Sequence, residues 1–341
     1  MLKLVETGPS LEERARFETR ALLALSTIPG WGYWTIKNAV AAGLSLHELL
    51  HLSSADVVRS TLKDAGVKNR FTSVEPWPSV ATNAWKAGAA LHQRLAANGT
   101  QVILRGSSAY PKALEDLRDP PEWLFVRGNV DVLTQRSLAL VGTRTPSEEG
   151  LHLCWYLGEF LRLFGAPTIS GLAMGIDQEI HKASLRVGLP TVAVLGNGIF
   201  VEFPSGSAAL ADEIVRRGGA IVTEYLPEQG YAKENFVRRN RIQAGLACAL
   251  IPVEWKFPSG TAHTIGFAQE LGRPLIAIHA RTADVDARPD LLEVRRRGGK
   301  LFAIPGEEES LLTAIRHVLT ADPVAAAPTP GPPAGTQLKL I

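Results

Sequence analysis

The chain has 341 residues, of which 45% are hydrophobic and 21% are charged, and its formal net charge is +2. This length suits two domains or one large domain with an appendage, and the small net charge means that a nucleic-acid binder would have to cluster its arginines locally. No apolar run approaches the ~20 residues of a membrane span, and no signal-peptide pattern opens the chain. Because only two cysteines are present, we predict a cytoplasmic protein without a disulfide framework, a metal or a membrane partner.

Residues 1–95 are predicted to form a helical domain. The segment LEERARFETRALLALSTI has apolar residues at helical spacing, and short helix-like segments follow it without strand alternation. The turn IPGWG, at 28–32, separates the first two helices. It resembles the hairpin of helix-hairpin-helix modules, whose exposed N–H groups can contact DNA phosphates, although it lacks flanking lysines. The alternative is a plain helix connection whose glycines supply positive φ.

Residues 96–321 show a different pattern, typical of an α/β domain. Short apolar runs such as SLALVG, PTISG, PTVAVLG and CALIPVEW alternate with helical stretches. Runs that are apolar on both faces are typical of parallel strands covered by helices. We therefore predict a Rossmann-like, doubly wound, mostly parallel sheet, preceded by the small all-α domain.

Residues 322–341 are rich in Pro, Ala and Gly, which predicts a flexible tail without a core.

Four predicted strand ends carry residues suited to binding anions. In open parallel sheets, ligands bind beyond the carboxyl ends of the strands. The segment TISGLAMGID has the order strand, glycine turn and helix N-terminus, whose free N–H groups bind phosphate. The candidate residues are Gly142, Thr143 and Arg144; Ser170, Gly171, Gly175 and Asp177; Phe236, Arg238, Arg239, Asn240 and Arg241; and Lys256, Ser259, Gly260 and Thr261.

The sequence argues against a dinucleotide as the ligand of this predicted phosphate-binding loop. The first predicted strand is followed by VGTRTP instead of G-x-G-x-x-G, and the strand after SGLAMGID ends in LGNGIF without a carboxylate for a ribose. No G-x-x-x-x-G-K-[ST] sequence occurs either. We therefore predict no cofactor.

The segment FVRRNR places three guanidinium groups within four residues, beside Phe236. Arginine binds phosphate bidentately and stacks on bases, and Phe203, Phe236 and Trp255 are candidate stacking surfaces. At a helix N-terminus these cations would oppose the dipole, which indicates a compensating anion; a solvated helix end is the alternative. A site spread over several strand ends fits an extended polyanion better than a single nucleotide.

In order and spacing, the motifs LALVGTR, TISGLAMGIDQEIH, TVAVLGNGIFVEFP, FVRRNRIQAGL and VEWKFPSGTAHTIGFAQELGR resemble the DNA-processing protein A family, also called DprA or Smf. The resemblance is close over about 100–280 and looser over the helical part. It implies a non-enzymatic homodimer that binds single-stranded DNA, protects incoming strands in natural transformation and loads the RecA recombinase.

The resemblance also assigns residues. Arg144 stands where the family has the DNA-contacting arginine of its GSR motif. Ser170, Gly171, Gly175 and Asp177 match the family's SGxAxGID loop. The family's RNR and SGS motifs correspond to Arg239–Arg241 and to Ser259–Thr261.

Some positions depart from the family pattern. Met174 replaces a basic residue before Gly175, and Val237 replaces the proline of FPxRNR. There is no room for the winged-helix domain in which many relatives end, so a divergent member is expected. The terminal QLKLI, Gln337–Ile341, resembles the peptides that dock into the bacterial sliding clamp, which makes the clamp a further candidate partner.

An enzyme or sensor for a nucleotide is the alternative function. The same Rossmann-like superfamily resembles cytokinin-activating phosphoribohydrolases, which carry a PGGxGTxxE loop with a catalytic glutamate. The corresponding segment here is PSGTAHTIG, and Gly266 occupies the position of that glutamate. The general acid/base is therefore missing, and we predict no catalytic residue. The pair Asp177 and His181, one helical turn apart, is expected to be structural.

Overall fold

The structure is a computed structural model that describes residues 11–321. The predicted tail 322–341, with the clamp-like segment Gln337–Ile341, lies outside the described residues. Within the described range, no helix is both long and apolar enough to cross a membrane. Cys154 and Cys248 are both free thiols.

The N-terminal part is helical, as predicted. Two of its helices are capped at the N-terminus by a serine hydroxyl group. Ser45 accepts a hydrogen bond from the Glu48 N–H, and Ser54 accepts one from the Val57 N–H. The helices are α1 (Leu11–Ser26), α2 (Tyr33–Ala41), α3 (Leu46–Leu50), α4 (Ala55–Asp64) and α5 (Trp77–Ala97).

The rest of the described chain is built on a mostly parallel sheet, which confirms the predicted fold class. Its strands are β1 (Thr100–Leu104), β2 (Trp123–Gly128), β3 (Leu138–Val141), β4 (Thr168–Ser170), β5 (Thr191–Val194), β6 (Ala220–Thr223) and β7 (Ala249–Pro252), in the order β1-β2-β6-β5-β4-β3-β7. Five neighbouring strands are parallel to one another, in the order β6, β5, β4, β3 and β7. Strand β2 is antiparallel to both β1 and β6. Two further strands, β8 (Ile276–Ala280) and β9 (Lys300–Ile304), pair with each other in parallel beyond β7.

Helices cover both faces of the sheet. Alternate residues of β3 point to opposite sides: Ala139 and Val141 pack with one core, and Leu138 and Leu140 with the other. The helices are α6 (Glu148–Leu161), α7 (Ile176–Arg186), α8 (Ala208–Arg216), α9 (Lys233–Leu246), α10 (Gly260–Glu270), α11 (Pro289–Arg296) and α12 (Glu308–Thr320). Helices α9 and α10 lie on the first face, and α6, α7 and α12 on the second.

The helical part shares a hydrophobic core with the antiparallel edge of the sheet. Trp123 and Phe125 of β2, and Tyr225 just after β6, are at most 2% exposed and belong to the same cluster as Trp31 and Trp77. The two parts are therefore joined by apolar packing across this edge.

A buried charge network also joins the two parts. Arg241 of α9 binds Glu224 bidentately, with N–O distances of 2.5 and 2.7 Å. Tyr33 of α2 donates to the same carboxylate at 2.5 Å. Asp119 accepts from Lys37 of α2 at 2.6 Å and also pairs with Arg238 of α9. These acids and bases are buried or half-buried, where an unpaired charge would be costly, and they neutralise one another within the protein.

This network corrects one step of the sequence-based argument. Helix α9 begins at Lys233, so Arg238, Arg239 and Arg241 lie beyond its first turn and do not face the N-terminal dipole. The anions that compensate Arg238 and Arg241 are Glu224 and Asp119 of the protein itself. The inference that a bound ligand must compensate them was wrong.

The Arg241→Ala substitution should destabilise the protein, because it leaves Glu224 buried without its closest cation. We expect the free energy of unfolding at pH 7 to fall by about 3–5 kcal/mol, measured by urea denaturation. Arg316→Ala, on the exposed side of α12, is the control and should change it by less than about 0.5 kcal/mol. Equal stability of Arg241→Ala and the parent would contradict the role assigned to the pair.

The loss should also depend on pH. Burial opposes the ionisation of Glu224, but Arg241 outweighs it and holds the pKa of this carboxyl below its usual 4.5. A carboxyl with a lowered folded-state pKa stabilises the fold above its unfolded pKa and loses that effect as the pH falls through the folded value. The difference in unfolding free energy between parent and Arg241→Ala, measured by urea denaturation, should therefore shrink as the pH falls toward the folded-state pKa of Glu224.

Candidate nucleic-acid interface

The candidate site lies where the strand order of the sheet reverses. Strand β3 pairs with β4 on one side and β7 on the other, so the loops after β3, β4 and β7 border one crevice. These loops are held together by backbone contacts: Thr143 N–H donates to the Glu254 carbonyl at 2.7 Å, and Ile176 N–H donates to the Thr143 carbonyl at 3.0 Å. Gly175, the N-cap residue of α7, has φ +82°, a conformation that favours glycine.

Arg239 lies beneath the β4 loop and the carboxyl end of β5. Its guanidinium donates to the carbonyls of Gly171, at 2.9 Å, and Val194, and its Nε donates to the Asn240 side chain at 2.9 Å. A Cβ on Gly171 would overlap this guanidinium. Burial and the neighbouring Arg144 lower the pKa of Arg239 to about 10, so it remains charged at neutral pH. Arg239 therefore ties together the carboxyl ends of β4 and β5 from inside.

The polar residues of the β4 loop are also internal. Ser170 donates to the Leu140 carbonyl at 2.7 Å and is fully buried. The carboxyl of Asp177 accepts hydrogen bonds from the backbone N–H groups of Gly142 and Ala173, and burial raises its pKa. His181 bonds Thr191 at 2.8 Å, and burial together with Arg239 lowers its pKa to about 3. These side chains make internal contacts that hold the loop in shape. They therefore do not contribute to its exposed surface.

Arg144 is the exposed cation of the β3 loop. Its guanidinium carbon lies 5.9 Å from the ring centre of Phe236, and it forms no ion pair with any residue in 11–321. Phe236 belongs to an aromatic cluster with Phe203 and Tyr231, whose ring centres lie 4.9 Å (Phe203–Phe236) and 4.2 Å (Phe203–Tyr231) apart. Tyr231 is 60% exposed. A cation and accessible aromatic rings thus meet at the strand ends.

The β7 loop supplies a second cation. Lys256 and Phe257 are exposed, whereas Trp255 is 4% exposed, so the prediction of Trp255 as a stacking surface was wrong. The hydroxyl of Ser259, the N-cap residue of α10, is buried without a hydrogen-bond partner among the described residues, and no side chain caps this helix. Within residues 11–321, the first N–H groups of α10 therefore have no side-chain cap.

The structure divides the sixteen predicted residues into a surface group and an interior group. Those with at least partial exposure are Gly142, Thr143, Arg144, Gly175, Phe236, Arg238, Lys256, Ser259 and Gly260. The buried ones are Ser170, Gly171, Asp177, Arg239, Asn240, Arg241 and Thr261. Arg241 binds Glu224, and Asn240 donates to the Gly260 carbonyl at 3.1 Å. The surface residues that sequence reasoning missed are Tyr231 and Phe257.

Two features bear on the alternative functions. No cluster of His, Cys, Asp or Glu in residues 11–321 has the arrangement of a metal site. Gly266, at the position of the phosphoribohydrolase glutamate, lies inside α10. The fold and the site define a Rossmann-like α/β protein whose strand-end crevice is bordered by exposed cations and aromatic rings.

The chain belongs to the family of DNA recombination-mediator protein A, whose model matches residues 101–293. Protein Smf of Escherichia coli is 38% identical over 177 residues, which are 52% of this chain and 47% of that protein. DNA processing protein DprA of Bacillus subtilis is 31% identical over 223 residues, 65% of this chain and 71% of that protein. The chain thus spans about half the length of the first relative and more of the second.

Solved structures agree with the fold. The X-ray structure of DprA from Streptococcus pneumoniae has a TM-score of 0.64 and 27% identity, and the match covers 86% of this chain and 96% of that one. A structure of DprA from Helicobacter pylori, determined to describe its single-stranded DNA binding mode, has a TM-score of 0.55 and 24% identity, covering 63% and 96%. The second likeness shows the fold alone.

The Gly171→Ala substitution should disturb the site from below, because the new methyl group would overlap the Arg239 guanidinium. We expect the free energy of unfolding to fall by about 1–3 kcal/mol, the usual cost of overpacking, measured by urea denaturation. Gly266→Ala is the matched control: a Cβ there meets nothing within 4 Å, and alanine favours a helix interior, so it should be neutral or slightly stabilising. A neutral Gly171→Ala would contradict the close approach.

Proposed function

We propose that this chain binds single-stranded DNA along the strand-end crevice. The observation that carries the proposal is the exposed guanidinium of Arg144, which lies near the ring of Phe236 where the strand order reverses and forms no ion pair within residues 11–321. Arginine suits phosphate, and its aromatic neighbours suit unstacked bases, which a duplex does not present.

The chemistry follows from the surface residues. Arg144 and Lys256 hold successive phosphates, and the uncapped N-terminus of α10 offers backbone N–H groups to another. The aromatic cluster of Phe203, Tyr231 and Phe236 provides a stacking surface for bases. Arg239 adds positive charge from below without contacting the strand. Because backbone contacts carry no sequence information, binding should show little base preference.

Family membership supports the wider role. On this proposal the chain is a non-enzymatic, cytoplasmic DNA-processing protein that acts as a homodimer. It protects incoming strands in natural transformation and loads the RecA recombinase. A nucleotide-hydrolysing function has less support, because Gly266 offers no general acid or base.

Arg144→Gln should weaken single-strand binding without unfolding the chain, because the side chain is exposed and forms no ion pair within the described range. We expect a loss of about 1–3 kcal/mol, measured by fluorescence anisotropy with labelled oligo-dT. Duplex DNA of equal length should bind more weakly than oligo-dT to the parent.

Arg316→Gln removes the same charge from the exposed side of α12 and serves as the control. It should bind oligo-dT as the parent does. Equal affinity of Arg144→Gln and the control, or a parent that prefers duplex, would count against the proposed site.

A further inference from the structure

A second cavity lies beside the IPGWG turn, outside the strand-end crevice. It has a volume of about 1250 Å³ and is bordered by the turn itself, by residues 68–70 and by residues 226–229. The crevice residues discussed above do not line it. Its walls carry charged and aromatic side chains, the combination with which proteins bind single-stranded nucleic acids.

The cations that the sequence lacks next to this turn are supplied by another segment. Lys68 and Arg70 follow α4, are exposed and form no ion pair within residues 11–321. The segment is held against the turn: a Cβ on Gly30 would lie 2.9 Å from the Arg70 carbonyl carbon, and Thr35 donates to the Lys68 carbonyl at 3.3 Å. The fold therefore brings two exposed cations to a turn that has no flanking lysines in the sequence.

Polar and aromatic groups complete the cavity. Trp34 is 52% exposed and has the Arg238 guanidinium 4.6 Å from its ring centre. Trp31, only 1% exposed, lines the cavity, and its indole N–H finds no hydrogen-bond partner among the described residues. The cavity's carboxylate, that of Glu228, already pairs with Arg94 at 2.7 Å. The surface is thus suited to an anion with attached planar groups.

One short stretch of chain connects the cavity with the aromatic cluster of the strand-end crevice. Residues 226–229 line the cavity, and Tyr231 and Phe236 of the aromatic cluster lie two and seven positions after Gln229. Helix α9 then carries Phe236 toward Arg144 and Arg238 toward Trp34. A strand that leaves the aromatic cluster along α9 would therefore meet Trp34 and then the two cations.

We propose that the cavity formed by the IPGWG turn, Trp34, Lys68 and Arg70 is a second binding region for single-stranded DNA, which holds the part of the strand that extends beyond the crevice. This inference rests on the proposed function of the crevice. Lys68 and Arg70 bind phosphates, and the exposed ring of Trp34 stacks on a base. The occupant is a single strand, because a paired duplex has no free base face for Trp34.

The test compares oligo-dT of about 6 and about 20 nucleotides on the full chain, by fluorescence anisotropy. For Lys68→Gln/Arg70→Gln we expect the 20-mer to bind about tenfold more weakly at ~0.1 M salt. The slope of log K against log salt should become shallower by about 1.4, since each single-strand phosphate contact contributes about 0.7. The 6-mer should bind as it does to the parent, and Trp34→Ala should also weaken only the 20-mer.

Lys63→Gln/Lys86→Gln removes two exposed charges from the same helical part, away from the cavity, and should leave both affinities unchanged. Unchanged 20-mer binding by Lys68→Gln/Arg70→Gln would overturn the proposal, as would equal losses for both lengths or a loss confined to duplex DNA. Failure of the crevice itself has a separate signature: a parent that does not bind the 6-mer, or 6-mer binding that is insensitive to Arg144→Gln.

Discussion

The hydrogen bonds of one buried guanidinium, that of Arg239, hold the functional edge of the sheet in place. By donating to the carbonyls of Gly171 and Val194 it fastens the ends of β4 and β5, and the fit is so close that Gly171 has no room for a side chain. An isolated buried charge is costly, and here carbonyl and amide acceptors satisfy it while Asp177 lies 3.9 Å away. The β4 loop held in this way in turn contacts the β3 loop that carries Arg144, through the hydrogen bond from the Ile176 N–H to the Thr143 carbonyl.

Much of this arrangement was predictable from the sequence. The runs that are apolar on both faces predicted the parallel strands. Gly142–Arg144 come directly after β3, and Lys256 comes four positions after the end of β7. The sequence therefore predicted these residues at one edge of the sheet, because the carboxyl ends of parallel strands meet there. The helical character of the N-terminal part followed from apolar spacing. Local pattern was sufficient wherever the deciding contacts lie close in sequence.

The roles of the arginines in α9 were not predictable in the same way. In sequence, Arg238, Arg239 and Arg241 form one basic run, but a helix turns about 100° per residue, so neighbours point in different directions. Arg239 meets strand carbonyls, whereas Arg241 meets Glu224 and Arg238 meets Asp119, partners that are distant in the chain. The position of Glu224 directly after a buried strand was the available signal, since a carboxylate there requires a cation.

The apolar contacts between the helical part and β2 determine how a truncated fragment of the protein would behave. Trp123, Phe125 and Tyr225 contact helices that precede β1, so a fragment starting near residue 100 would expose three large aromatic side chains to water. Such a fragment would tend to self-associate before any question of ligand affinity arose. Its loss of activity would report an uncovered sheet face, which makes point substitutions, and not truncations, the sound way to separate the contributions of the two regions.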